Sequence, residues 1–393
     1  MSVFVGIDVA KETHWVVAID TQASVALDRA VANDQAALVE LAADLRALDE
    51  EVVVALDVTG SIATFLEAVL ASEGLALVHV PGIAVNRAGH GYAGGEGKSD
   101  PRDARTIADL ARTRPGLRPV LRGDATTAAL RLLVSRRSDL VEDQTRRLSR
   151  LRQLLGQVHP GLEGKLDVTC KAPLTLLSRF VTPGEIRTAG RRRILAHLRK
   201  TPTLRGIEAL TDTVLACAAA QTIAVPGEAV AADIVRDLAT EALAARSRIR
   251  AIDRELEELL VAHPDGALIR SLPGMGAVLT AEFIAHLGSI RRFSSADALA
   301  AAAGLAPILR QSGRSRNLRR ARGGDRALKR ALFQSAFCAV MNRDPISLAY
   351  YQRKRREGKL HAQAIIALAR RRVNVLWAML QAREPYRPIE KAA

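Results

Sequence analysis

Four acidic residues in the first 103 positions stand where metal-assisted phosphodiester chemistry would need them. Asp8 closes the apolar run Ser2-Val3-Phe4-Val5-Gly6-Ile7, and Asp57 closes Glu51-Val52-Val53-Val54-Ala55-Leu56. Asp100 and Asp103 straddle Pro101 in Lys98-Ser99-Asp100-Pro101-Arg102-Asp103. Carboxylate oxygens suit Mg²⁺ (or Mn²⁺), and a few acids can serve two such ions. One ion activates an attacking oxygen and the other stabilises the leaving one. A plainer reading competes: strand-end aspartates cap loops, and Asp100-Pro101 with Asp103 reads as a helix N-cap, first-turn proline and capping-box acid. Four acids at the right elements of one fold favour the metal reading.

Two further motifs lie near the other end. Ser271-Leu272-Pro273-Gly274-Met275-Gly276-Ala277 resembles the hairpin of helix-hairpin-helix DNA-binding units, where Gly274 and Gly276 would let the backbone approach a phosphate. An ordinary tight turn between helices would look the same. Gly304-Leu305-Ala306-Pro307-Ile308-Leu309-Arg310-Gln311-Ser312-Gly313-Arg314-Ser315-Arg316 precedes Arg319, Arg320, Arg322, Arg326, Lys329 and Arg330. A serine beside glycine in an Arg-rich loop can attack a phosphodiester, with guanidinium groups holding the phosphate. The same residues can simply touch a nucleic-acid backbone, as Arg310, Arg314, Arg316, Arg319, Arg320, Lys329 and Arg330 are expected to do.

The elements that must position these groups follow from periodicity. Val3–Asp8, His14–Asp20 and Ser24–Val31 read as a meander of strands, followed by a helix over Asp34–Leu48. Val52–Asp57 and Leu75–Val80 read as short buried strands with a helix over Ile62–Ser72 between them. That order predicts a ribonuclease-H-like domain in which the first and fourth strands are neighbours, placing Asp8 beside Asp57. Helical spacing of apolar residues over Asp124–Val158 and Glu228–Ala262 predicts two long amphipathic helices pairing as an antiparallel coiled coil. The segment Asp265–Arg383 reads as helical, with no strand. The fold class is thus α/β plus all-α, divided into residues 1–123, 124–264 and 265–393.

Composition narrows the function. The 393 residues carry a net charge of +15, yet residues 266–393 hold 24 Lys/Arg against 7 Asp/Glu. Such a basic C-terminal part suits nucleic acid, where each phosphate contact releases counterions. The aromatic fraction of 3% disfavours a single-strand binder built on stacking platforms. No apolar run of membrane-spanning length and no signal-peptide layout is present, so no membrane partner is expected. Scattered Cys170, Cys217 and Cys338 suggest a reducing cytoplasm, and His14, His79, His90 and His286 lack metal-ligand spacing. Gly6-Ile7-Asp8 also resembles the first phosphate loop of actin-like ATPases, but the second phosphate loop is missing.

Together these residues resemble the DEDD transposases of the insertion-sequence-110 family. The match rests on Val5-Gly6-Ile7-Asp8-Val9-Ala10-Lys11, Gly97-Lys98-Ser99-Asp100-Pro101-Arg102-Asp103-Ala104, the Leu-Pro-Gly-Met-Gly turn, Gly304-Leu305-Ala306-Pro307 with Ser312-Gly313, and Tyr350-Tyr351-Gln352-Arg353-Lys354. The resemblance implies a RuvC-like domain, a coiled-coil insertion and a C-terminal transposase domain with a nucleophilic serine. It implies a catalytic and metal-binding tetrad of Asp8, Asp57, Asp100 and Asp103, with Ser312 as nucleophile and Ser315 as its neighbouring rival. Asp57 departs from the family, which usually has Glu there. DNA (element ends and target), a noncoding guide RNA and a homo-oligomer (dimer or tetramer) are the implied partners, in the nucleoid of a prokaryotic cytoplasm. In that oligomer, one subunit's acidic site can complete another's serine site. Two alternatives stay open on the residues alone: a RuvC-like metal-dependent endonuclease of branched DNA, and a non-catalytic nucleic-acid-binding protein.

Overall fold

Alternation along the first strand decides the layering around the acids. The computed structural model describes residues 2–91, 99–120, 124–312, 315–319, 321 and 323–388. It forms two compact units, Met1–Asp124 and Ala125–Ala393. In strand β1 (Val3–Asp8), Val3, Val5 and Ile7 are buried with Leu38, Leu41 and Leu45 of helix α1 (Gln35–Leu48) and Leu66, Val69 and Leu70 of helix α2 (Thr64–Ser72). Each such aliphatic side chain contributes about 1.5–3 kcal/mol on full burial. The even-numbered residues face the other way, because successive strand side chains alternate. Phe4 packs beside Ala104, Ile107, Ala108 and Ala111 of helix α4 (Asp100–Thr113).

The remaining strands are β2 (Thr13–Ile19), β3 (Val25–Ala32), β4 (Val52–Leu56), β5 (Ala76–His79) and β6 (Arg118–Pro119), in sheet order β3-β2-β1-β4-β5-β6. β1, β2 and β3 pair antiparallel; β4 runs parallel to β1 and β5 parallel to β4; β6 closes the edge antiparallel. This is the strand order expected of a ribonuclease-H-like domain, with the first and fourth strands adjacent. Helix α1 starts where the sequence suggests, since the Asp34 side chain accepts a hydrogen bond from the Ala37 amide at 2.9 Å. Helix α3 (Gly82–Gly89) follows β5 and Pro81.

In the second unit, α5 (Ala125–Val158) and α10 (Glu228–Ala262) run antiparallel. Arg137 Nε meets Asp253 at 2.6 Å, Arg147 Nε meets Glu241 at 2.8 Å, and Gln144 Nε2 donates to the Ala242 carbonyl at 3.3 Å. One end of the pair packs into a core with α6 to α9 (Pro160–Glu163, Lys171–Leu177, Pro183–Arg199 and Ile207–Ala220). The other end, through Leu130, Val134, Leu256 and Leu260, joins a core with α11 to α16. These are Gly266–Arg270, Ala277–Leu287, Ala296–Ala302, Arg326–Met341, Pro345–Arg356 and His361–Ala382.

The expectation that no strand occurs after Asp265 is overturned. β7 (Ile308–Ser312) and β8 (Ser315–Arg319) form an antiparallel hairpin. Its strands escape a periodicity search because Ile308, Leu309 and Gln311 on one strand and Arg316 and Arg319 on the other are exposed. With no core to cover, no apolar alternation is selected. The helix after the Pro-Gly turn begins at Ala277, with Gly276 at its N-cap.

Candidate acidic centre and serine hairpin

Gly6 is the residue that brings the acids together. A Cβ at Gly6 would stand 2.0 Å from the Ala104 carbonyl oxygen and 2.4 Å from the Ala108 nitrogen. The backbone of α4 therefore lies directly on β1, an approach only glycine permits. Arg112, near the C-terminal end of α4, donates to the Thr21 carbonyl, just beyond Ile19, which pairs with Phe4 at the start of β1, so α4 runs against the direction of β1. Its first turn, with Asp100 and Asp103, accordingly lies toward the strand's C-terminal end, where Asp8 shares the face of Gly6. On β4 the register Gly6↔Ala55 and Ile7↔Leu56 sets Asp57 one step on, level with Asp8. Gly6 is thus a packing glycine, closed to the phosphate of the ATPase reading.

The helix-start reading of this pair is met in part: Pro101 and both acids lie in the first turn, but Asp100 is not the cap. The N-cap is Ser99, whose side chain makes no capping bond, and Asp100 is the first helical residue. Asp100 is exposed and Asp103 half-buried. Their position in the first turn is favourable for negative charge, but neither is needed as a cap.

Burial raises the Asp57 carboxyl above its usual range, and the nearby Asp103 charge pushes the same way against hydrogen bonds from the Val9 and Val58 amides. Asp57 Oδ1 is buried without a hydrogen-bond partner, while His79 Nε2 donates to the Asp57 carbonyl at 3.2 Å. A buried, partnerless carboxylate oxygen with a second carboxylate in the vicinity suits a divalent cation. Among the described residues, no three His, Cys, Asp or Glu side chains converge closely enough to hold a metal ion as they stand. Filling the site would require carboxylate rotations or intervening waters, which Mg²⁺ usually keeps.

Ser312 and Ser315 are directly opposed across the hairpin, the last pair before the connection through residues 313 and 314. Both are exposed, and Asn317 Nδ2 donates to Ser315 Oγ at 3.2 Å. Gly304 and Gly324, both left-handed (φ +61° and +103°), form the hairpin's root. A Cβ at Gly304 would stand 2.5 Å from the Gly323 carbonyl oxygen, and one at Gly324 2.5 Å from the Gly304 nitrogen. Beside them Asp325 caps α14 through the Ala327 and Leu328 amides and pairs with His286 Nδ1 at 3.1 Å. Burial alone would raise Asp325, but His286 and the two amides outweigh it and hold the carboxyl below its usual range. Sequence reasoning set His286 aside and missed this bracket, because its partner lies 39 residues away.

The expected nucleic-acid contacts divide. Arg316 and Arg319 are exposed on β8. Arg314 and Arg320 lie outside the described residues, as does the Arg310 side chain. Lys329 Nζ donates to the Gly304 carbonyl at 2.8 Å, and Arg330 pairs at 2.8 Å with Glu282, which is only 7% exposed. Lys329 is thus half-buried and engaged in an internal bond, while Arg330 makes its ion pair from an exposed position. Gly274 is likewise turned inward: at φ +81° its bare face lies against α14, where a Cβ would be 2.4 Å from the Ser335 carbonyl oxygen. The turn is held by buried Arg372, which donates to the Pro273 carbonyl and to Ser335 Oγ. Burial lowers the Arg372 guanidinium to about 10, still cationic at neutral pH. Gly276 has open space at its Cβ position.

Comparison with known proteins gives the family. Residues 5–160 match the DEDD transposase family model, and residues 266–352 match the model of the IS116/IS110/IS902 transposase family. The 42 kDa protein of insertion element IS900 from Mycobacterium paratuberculosis is 43% identical over 396 residues, covering 100% of this chain and 98% of that protein. The 44.8 kDa protein of insertion element IS116 from Streptomyces clavuligerus is 40% identical over 388 residues, covering 98% of this chain and 96% of that one. A solved structure of T. thermophilus RuvC with a Holliday-junction substrate matches 30% of this chain and 100% of that one at 14% identity, with a TM-score of 0.24, too slight a likeness to argue from. With relatives this similar along its full length, the chain belongs to the IS110 family of DNA transposases.

Proposed function

We propose that this transposase cuts and rejoins DNA strands through Ser312, with Asp8, Asp57, Asp100 and Asp103 holding divalent metal beside the reacting phosphate. The observation that carries the acidic half is the Gly6 contact, which sets the first turn of α4 toward the strand ends bearing Asp8 and Asp57. The partnerless Asp57 Oδ1 supports a cation there. A bound metal would supply positive charge against the phosphate oxygens as charge develops on them. Ser312 Oγ forms a bond to phosphorus as the strand's P–O bond breaks. The serine gives up its proton and the departing strand oxygen takes one up, leaving a phosphoserine ester and a free strand hydroxyl. Rejoining is the reverse, with a new strand's hydroxyl as the attacking group. Exposed Arg316 and Arg319, on the strand opposite Ser312, support phosphate binding at the hairpin. A noncoding guide RNA, pairing of the two long helices as a coiled coil, and assembly as a homo-oligomer complete the proposal.

The test is covalent trapping on element-end DNA with the element's noncoding RNA and Mg²⁺ present. Wild type should form a protein–DNA adduct that Ser312→Ala abolishes. An adduct that survives Ser312→Ala and disappears in Ser315→Ala transfers the role to Ser315. Metal-dependent cleavage without any adduct would replace the serine mechanism by hydrolysis.

A further inference from the structure

The first 265 residues carry almost no net charge, but that balance hides a basic lobe. Residues 160–227 hold 10 Lys/Arg against 5 Asp/Glu. Some of these cations are already committed: Arg191 pairs with Asp212 at 2.9 Å, Arg199 with Glu208 at 3.3 Å, and Arg187 donates to the Ala218 and Gln221 carbonyls. Arg179, Arg193 and Lys200 are exposed and have no acidic partner among the described residues. All three line one cleft of about 580 Å³, a size within the range of ligand sites.

The cleft owes its form to a break in α8. Gly190, at φ +63° and ψ 173°, interrupts the helix. After the break, Arg193, Ala196, His197 and Lys200 recur at helical spacing and line the cleft as a single stripe. Arg179 and Phe180 also line it, with the Arg179 guanidinium 5.6 Å from the Phe180 ring centroid. Phe180 meets His197 edge to face at 5.7 Å, and His197 is pinned by Nε2 donating to the Thr175 carbonyl at 2.8 Å. The one acid in the cleft, Glu185, is neutralised locally: it accepts from the Val181 and Thr182 amides and pairs with Arg236 at 3.0 Å. Phe180 itself is buried in the core of this lobe, so the exposed Arg179 guanidinium resting on it, with unpaired cations nearby, is the surface suited to a phosphate and the face of an unstacked base. Duplex DNA hides its base faces, whereas a single strand presents phosphate and base together.

We propose that the cleft lined by Arg179, Arg193, His197 and Lys200 binds a nucleotide of an unpaired nucleic-acid strand. Arg193 and Lys200 hold its phosphate, and its base lies against the exposed Arg179 guanidinium. The inference rests on the reading that this chain works on nucleic acid, and adds a second point of contact remote in sequence from the serine hairpin. RNA and single-stranded DNA share this chemistry, so both are probes.

The experiment measures binding of the full chain to a labelled single-stranded RNA, a single-stranded DNA of matching sequence and the corresponding duplex, by fluorescence anisotropy between about 50 and 200 mM salt. Each single-strand phosphate contact adds roughly 0.7 to the salt slope. The triple variant Arg179→Gln/Arg193→Gln/Lys200→Gln should lower that slope by about 1.4–2.1 on RNA, DNA or both, and leave the duplex slope unchanged. The strand that loses affinity identifies the source. Arg191→Gln/Arg199→Gln, which removes two paired cations of the same lobe, should leave all slopes unchanged and controls for loss of positive charge outside the cleft. A triple-variant slope equal to wild type, or an equal loss in the control variant, overturns the inference while leaving the transposase mechanism intact. Failure of wild type to bind any of the three probes overturns the underlying nucleic-acid reading as well.

Discussion

Replacing Gly6 by alanine perturbs the acidic centre without touching an acid. The new Cβ would stand 2.0 Å from the Ala104 oxygen and 2.4 Å from the Ala108 nitrogen, against a normal contact distance of about 3.5 Å. Both obstacles are backbone, so no side chain can rotate away. Helix α4 must withdraw by roughly 1 Å or more. Overpacking of this kind costs about 1–3 kcal/mol, and the absence of a flexible neighbour puts Gly6→Ala at the upper end. For a unit of this size the melting temperature falls about 3–5 °C per kcal/mol, so a drop on the order of 10 °C is expected. Displacing Asp100 and Asp103 by about 1 Å should cost strand cleavage on the order of 100-fold. The assay pairs calorimetry with cleavage of element-end DNA, using Gly89→Ala as a control because nothing lies within 4 Å of its Cβ position. If Gly6→Ala melts and cleaves like wild type, the α4–β1 contact does not position the acids and the reasoning fails.

Other perturbations separate structural from functional charge. Burial opposes ionised Asp57, so Asp57→Asn should raise the melting temperature of the metal-free protein and abolish the rise that Mg²⁺ produces in wild type; an undiminished rise in Asp57→Asn would remove it from the metal site. Arg330→Gln should lower stability by about 3–5 kcal/mol at most, the cost of leaving a buried carboxylate unpaired, because it strips buried Glu282 of its partner; Arg316→Gln should instead weaken DNA binding and reduce the salt slope by about 1 per lost phosphate contact. Interchanged outcomes in calorimetry and binding titrations would reverse those assignments. Gly304→Ala should increase proteolytic cutting at the hairpin, since it strains a left-handed residue and collides with the Gly323 carbonyl; wild-type resistance counts against the root described. The depressed Asp325 carboxyl contributes stability that is present above its unfolded pKa of about 3.9 and lost as pH falls through its lower folded value. Urea midpoints for wild type should therefore decline more steeply below about pH 4 than those of Asp325→Asn, and parallel declines would exclude that contribution.

What the sequence disclosed follows from how strongly burial marks a residue. Val52, Val54, Ala55 and Leu56 are buried from both sides of the sheet, so β4 stood out as an apolar run, and Asp34 announced α1 through its cap. The β7–β8 hairpin has no such signature, because exposed arginines and serines pay no burial penalty in either register. Gly6 was visible, but whether a glycine admits a phosphate or a helix depends on what lies across from it, 98 residues further along the chain. Lys329 and Arg330 carried the same ambiguity. A basic residue looks alike whether it faces a phosphate, the Gly304 carbonyl or the Glu282 carboxylate. The acid positions were legible as chemistry, and the partnerless oxygen on Asp57 was not.

The paired helices α5 and α10 carry a mechanical consequence. Their opposite ends are embedded in separate cores, while Leu140 and Ala245 between them belong to neither. Helix α5, with 34 residues, is a beam about 50 Å long. Only the stretch between Val134 and Leu148, about 20 Å, lies outside the two cores, and long helices commonly curve gently over such lengths. The Gln144 bond to the Ala242 carbonyl resists sliding but not bowing. The pair therefore fixes the register between the two cores, and bowing of its bare central span is the change of their spacing that would unpack neither.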